Sequence, residues 1–165
     1  KIAAQIYRQL ADSGNLEARF HLGWVSFLGL AVSKSDQKAY LLHVQCFEWC
    51  TMAASLHWFG KFLWACCFHE GIGIAQDRRR AATIFEELAG QGYDIAQVVL
   101  GDCYYWGRGV ESDDIKAVAW FRKAAEQGNA WGQSELGCCY HFGRGVAQDE
   151  AKAAEWRRRS ASQGY

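Results

Sequence analysis

Apolar side chains recur along this chain at helical spacing, and the recurrence itself repeats. Ala81, Ile84, Phe85, Leu88 and Ala89 stand at i, i+3, i+4, i+7 and i+8, which puts them on one face of an α-helix. Ala117, Trp120, Phe121, Ala124 and Ala125 do the same 36 positions later, and Ala153 and Trp156 begin it again. Ala3, Ile6, Tyr7, Leu10 and Ala11 form an earlier copy. Gly14, Gly92, Gly128 and Gly164 close these helices, as expected of the residue that accepts a positive φ without a Cβ clash. A second helix follows each, marked by Leu22-Gly23, Leu100-Gly101 and Leu136-Gly137. Glycine inside a helix costs about 1 kcal/mol relative to alanine. Close approach of a neighbouring helix, which a Cβ would block, is the expected compensation.

The second helix runs into a loop, Gly107-Arg108-Gly109-Val110 and Gly143-Arg144-Gly145-Val146, with Gly71-Ile72-Gly73-Ile74 as the earlier version. The Val or Ile is expected to plug the core between repeats. Asp77, Asp113 and Asp149 follow three residues later, each placed to cap the next helix by accepting from its free N–H groups. A fixed period of this size predicts a stacked array of helical hairpins. The units run over roughly 3–38, 39–80, 81–116 and 117–152, with a terminal helix at 153–165, all in a single domain.

The second unit departs from the rest. Its Leu56 replaces the turn glycine and lies 42 residues after Gly14, six more than the period, so an insertion is expected near Ser33 to His43. Trp58, Phe62 and Leu63 are large and apolar where other units carry Asp94, Ser134 and Glu135, although Val98 and Phe20 are apolar in the Phe62 column too. Either the inserted residues cover these side chains or something else does.

Composition narrows the function classes. Lys+Arg and Asp+Glu balance at 18 each in 165 residues, against a nucleic-acid tract or a membrane-surface patch. The densest apolar region, Leu41 to Phe68, is broken by Glu48 and Lys61, and a membrane span needs roughly 20 apolar residues. Seven cysteines, an odd number without disulfide spacing, fit a reducing compartment such as the cytoplasm. Cys67, Cys103 and Cys139 share a column with Val25, which marks a small buried site. Cys46, Cys50, Cys66, Cys67 and His69 lack the spacing of a zinc site, so no metal is expected. No Ser or Cys nucleophile carries a partner pattern, and the Gly-x-Gly loops lack the Lys-Ser/Thr or third glycine of phosphate-binding loops. No catalysis and no cofactor are expected.

Ala-x-x-Trp-Phe-Arg-Lys-Ala-Ala-Glu-Gln-Gly-Asn-Ala at 117–130, followed by Leu-Gly-x-x-Tyr-x-x-Gly-Arg-Gly-Val at 136–146, closely resembles the Sel1-like repeat family, relatives of tetratricopeptide repeats. The resemblance implies an all-α fold, a right-handed α-solenoid whose first helices line a groove, and a role as an adaptor that gathers other proteins. A secreted, cysteine-rich branch of that family pairs cysteines where this chain has Ala125 and Gln133, Ala89 and Gln97, and Ala53 and Lys61, so secretion is not carried over. The expected function is a non-catalytic scaffold for another protein or peptide. The alternative is a regulatory or self-assembling segment of a larger protein, with a homo-oligomer as one form. A groove on the first helices would be lined by Phe47, Cys50, Thr51 and Ala54, then by Arg122 and Lys123. The candidate partner contacts are Phe47, Trp58, Phe62, Arg122 and Lys123, because aromatic anchors usually dominate binding.

Overall fold

The computed structural model describes Val44, Phe47, Glu48, residues 50–55 and residues 57–165. The first unit of the repeat reading, 3–38, and the start of the second, with the expected insertion near Ser33 to His43, therefore lie outside the described residues, as does Leu56. Helical residues at 50–54 lead into six helices: α1 (Trp58–Glu70), α2 (Arg78–Gly90), α3 (Asp94–Trp106), α4 (Asp114–Glu126), α5 (Ala130–Phe142) and α6 (Glu150–Ala161). Like helices start 36 residues apart, and no strand occurs among the described residues. The fold is an all-α repeat. No helix among the described residues is long and apolar enough to cross a membrane.

The ends of the helices repeat as faithfully as their cores. Asp77, Asp113 and Asp149 accept, through a side-chain oxygen, from the backbone N–H groups of Arg80, Lys116 and Lys152, each at 3.0 Å. These caps place the starts of α2, α4 and α6 three residues ahead of the core alanines Ala81, Ala117 and Ala153. At the other end, Gly71, Gly107 and Gly143 adopt φ of 74°, 66° and 66° and donate to the carbonyls of Cys67, Cys103 and Cys139.

The chain divides into two compact units, residues 1–81 and 82–165. In the first, Phe62, Leu63, Ala65, Cys67 and Phe68 are buried. Arg80 lays its guanidinium over Trp64 and Phe68, at 5.0 and 4.3 Å from the ring centroids. In the second, Val98, Ala117, Val118, Phe121, Ala124, Ala125, Leu136 and Cys139 form one core cluster, with Val146 packed against it. The loop valine thus plugs the core as expected, whereas Ile74 in the first unit is 36% exposed.

Gly101 and Gly137 show why a helix tolerates glycine there. A Cβ on Gly101 would come within 2.5 Å of the Phe121 ring, so α4 packs on α3 through a gap that only glycine leaves. On Gly137 a Cβ would meet the Arg157 stem at 3.0 Å and the Ala153 carbonyl oxygen at 3.2 Å. Within the second unit each helix packs on its neighbour from α3 to α6, and α3 also touches α5.

Candidate functional site

Of the five residues singled out in the sequence, Phe47, Trp58 and Phe62 lie in the first unit and Arg122 and Lys123 in the second. Phe47 is half-buried, edge-on to Phe68 at 5.6 Å. Trp58 is half-buried, with its ring 5.3 Å from Phe59. Phe62 is 2% exposed and stacks on Phe59 at 5.8 Å. It is a core side chain, and a partner cannot grip it. Cys50, expected on the groove, is also buried. In the second unit Arg122 donates to the Tyr140 hydroxyl at 3.3 Å. Lys123 sits 3.9 Å over the Trp120 ring, and Arg159 repeats this over Trp156 at 4.6 Å. Lys123 and Arg159 thus make the same contact one repeat apart.

A different face of the second unit is open. Ile95, Val99, Asp102 and Trp106 stand at i, i+4, i+7 and i+11 of α3, along one side of the helix. The same positions of α5 hold Trp131, Glu135, Cys138 and Phe142. The first three of each set are half-buried, while Trp106 and Phe142 are 60% and 66% exposed. The positions between them, Val98, Leu100, Cys103, Leu136 and Cys139, turn into the core. α3 touches α5, and Asp102 of one stripe and Glu135 of the other lie close enough to act on one another. Together they make a largely apolar surface with carboxylates in its middle.

Those carboxylates are perturbed. Burial pushes the Asp102 carboxyl up to about 7, Glu135 adds to the rise, and Arg108 opposes it. Burial also raises Glu135, against the pull of the Trp131 indole N–H, which donates to it at 3.1 Å. The Tyr165 phenol is raised by burial and then by Glu135 and Asp102, so the last residue of the chain lies within reach of both. Cys139, beneath the same face, is pushed up to about 12 by burial first and Glu135 second, which keeps it a thiol. Arg157 points an Nη2 at the Cys138 sulfur, 4.0 Å away. Among the described residues no group of three His, Cys, Asp or Glu side chains is placed to hold a metal ion.

Sequence reading passed over Asp102 and Glu135 because each departs from its column: Cys66 and Cys138 match Asp102, and Leu63 and Val99 match Glu135. The available signal was a carboxylate within an otherwise apolar outward stripe, in two successive repeats.

Helical hairpins in register at 36 residues, with shared caps and a shared glycine contact, define a protein of the helical repeat class. Sel1 repeats match residues 16–58, 58–93, 94–129 and 132–165, and the chain belongs to the Sel1 repeat family. The two central matches begin at the starts of α1 and α3, half a unit out of phase with boundaries drawn at Ala81 and Ala117. Among solved structures, the chain is similar to a protective antigen of uropathogenic Escherichia coli, c5321, which displays an SLR fold. The identity is 32% and the TM-score 0.73, covering 98% of this chain and 33% of that one. It is also similar to a Sel1 repeat protein from Oxalobacter formigenes, at 29% identity and a TM-score of 0.75, covering 99% of this chain and 62% of that one. The chain thus spans less than two thirds of either protein. Cysteine rich protein B of Helicobacter pylori shares the fold, at 19% identity and a TM-score of 0.57, over 81% of this chain and 95% of that one. No curated protein matches the sequence.

Two glutamines of successive repeats bond back to the preceding helix. Gln97 donates to the Ala89 carbonyl at 3.2 Å and Gln133 to the Ala125 carbonyl at 3.3 Å.

Proposed function

We propose that this chain is a non-catalytic adaptor that binds another protein or peptide through the α3/α5 face. Sel1 repeats generally mediate protein–protein interaction, and the family is typically without catalysis. The observation that carries the reading is the pair of outward stripes ending in Trp106 and Phe142. Both side chains are well exposed, and large aromatic anchors commonly dominate affinity. In the first unit, Trp58 and Phe47 offer a smaller second contact, while Phe62 supports that contact from the core.

The test is retention of a partner by the intact chain and by the Trp106→Ala/Phe142→Ala double variant. Both substitutions are at exposed positions, so folding is expected to survive. Loss of the retained protein, with an unchanged circular dichroism spectrum, supports this face. Equal retention by both moves the contact elsewhere.

A further inference from the structure

The α3/α5 face has a chemical polarity that narrows its partner. Its rim is aromatic, with Trp106 and Phe142 at one end and Trp131 toward the other. Its centre carries Asp102 and Glu135, both half-buried. Glu135 has one hydrogen-bond donor, the Trp131 indole N–H at 3.1 Å. For Asp102 no hydrogen-bond or ion-pair partner is present among the described residues. A half-buried carboxylate without a donor is costly, and two acting on one another are costlier. A cation delivered from outside would relieve both terms.

We infer that the centre of this face receives a lysine or arginine side chain from a protein partner, held between Asp102 and Glu135 with flanking apolar residues laid on Trp106, Trp131 and Phe142. This rests on the adaptor reading and adds the chemistry of what is read. Charge complementarity sets the sign, and the aromatic rim sets the apolar flanks. A long cationic side chain suits the place because its methylene stem can lie on apolar surface while its head meets the carboxylates. Other groups bear on the same centre. Arg108 favours the charged form of Asp102, yet burial and Glu135 outweigh it. Arg157 is directed at Cys138, and the Tyr165 phenol and Cys139 thiol are both held neutral at physiological pH. The balance at the centre remains acidic.

Proton linkage follows. A bound cation stabilises the carboxylate over the carboxylic acid, so the partner displaces the proton that Asp102 otherwise holds. Binding is expected to strengthen as pH rises through about 7 and to level off above it. Asp102→Asn should abolish that dependence.

The experiment is a display library of random peptides panned on the full chain at about pH 8, where free carboxyls are charged. The recovered peptides are then measured against the chain and its Asp102→Asn and Glu135→Gln variants. These substitutions remove charge with little change in volume, and thermal unfolding checks that each variant is folded. Peptides carrying a lysine or arginine between apolar residues, weakened about tenfold or more by either variant, are the expected result. Peptides without a cation, or with affinity that neither variant changes, overturn the inference and leave the adaptor reading standing. No peptide above background, or a chain that sediments as a dimer through this face, overturns both.

Discussion

Single residues in this chain act through space that neighbours leave or fill. Gly101 is the clearest case. Alanine would gain about 1 kcal/mol of helix propensity. Its Cβ would stand 2.5 Å from the Phe121 ring, which is fully buried and cannot retreat. Overpacking typically costs about 1–3 kcal/mol, so Gly101→Ala should lower stability in urea unfolding. Gly137→Ala should be milder, because its closest obstacle is the flexible stem of Arg157. The buried glutamines work by satisfaction rather than volume. Gln97 donates to the Ala89 carbonyl and accepts from Gln127 at 2.7 Å. Gln133 does the same with the Ala125 carbonyl and with Gln163, at 2.9 Å. Gln97→Leu leaves both partners short, at a cost of roughly 1–3 kcal/mol for a buried group deprived of its bond. Urea unfolding that matches the parent would show these bonds to be dispensable.

At the scale of one helix, caps and cores divide the labour. The Asp113 and Asp149 carboxyls are held below the usual range, first by the backbone N–H groups of Lys116 and Lys152. A depressed carboxyl contributes stability above its unfolded value of 3.8, and that contribution fades as pH falls through the folded value. Asp113→Ala should fray the first turn of α4 and speed amide exchange at Lys116. The same exchange rate in parent and variant would leave the cap without effect. In α1, Phe62 acts through its core packing. Removing a buried Phe side chain costs about 3–5 kcal/mol, so Phe62→Ala should destabilise the first unit. A variant of parental stability would contradict its burial.

Within a whole unit, links between repeats decide whether the hairpins behave as one body. Arg144 reaches from one loop to the start of α4, pairing with Asp114 through Nε at 3.2 Å and Nη2 at 2.7 Å, and it stacks on Tyr105 at 3.7 Å. Asn129 likewise donates to Asp94 at 2.7 Å, across one repeat. Repeat arrays owe cooperativity to such nearest-neighbour terms. Arg144→Ala should broaden the unfolding transition of the second unit more than it shifts the midpoint. Asp102 gives this unit a pH dependence opposite in sign to that of the caps. Folded, its carboxyl titrates at about 7, against 3.8 in an ordinary setting. Between those values the folded chain binds more protons than the unfolded one, so stability falls as pH rises through the window and levels above it. Thermal unfolding at about pH 5 and about pH 8 should show this fall, and Asp102→Asn should remove it. A perturbed acid that costs stability at neutral pH is characteristic of a binding surface.

The period, the helix pairs, the Asp caps, the buried cysteine column and the close contacts at Gly101 and Gly137 are all legible in the sequence. Each is a local rule restated every 36 residues, and repetition separates signal from chance. The second unit of the repeat reading is less legible because it departs from the pattern. Phe62 shares its column with the polar Ser134 and with the apolar Val98 and Phe20, and its burial is settled by what packs on it. The open face was hidden for a different reason. Asp102 and Glu135 stand 33 positions apart, three short of the period, and so fall in different columns. Only the packing of α3 on α5 brings those columns together, and only that burial turns two ordinary carboxylates into a perturbed pair. Sequence by itself determined the repeating architecture, because helix periodicity and capping are local. Tertiary structure decided which face stays open and what charge it carries, because desolvation and carboxylate proximity arise only between helices.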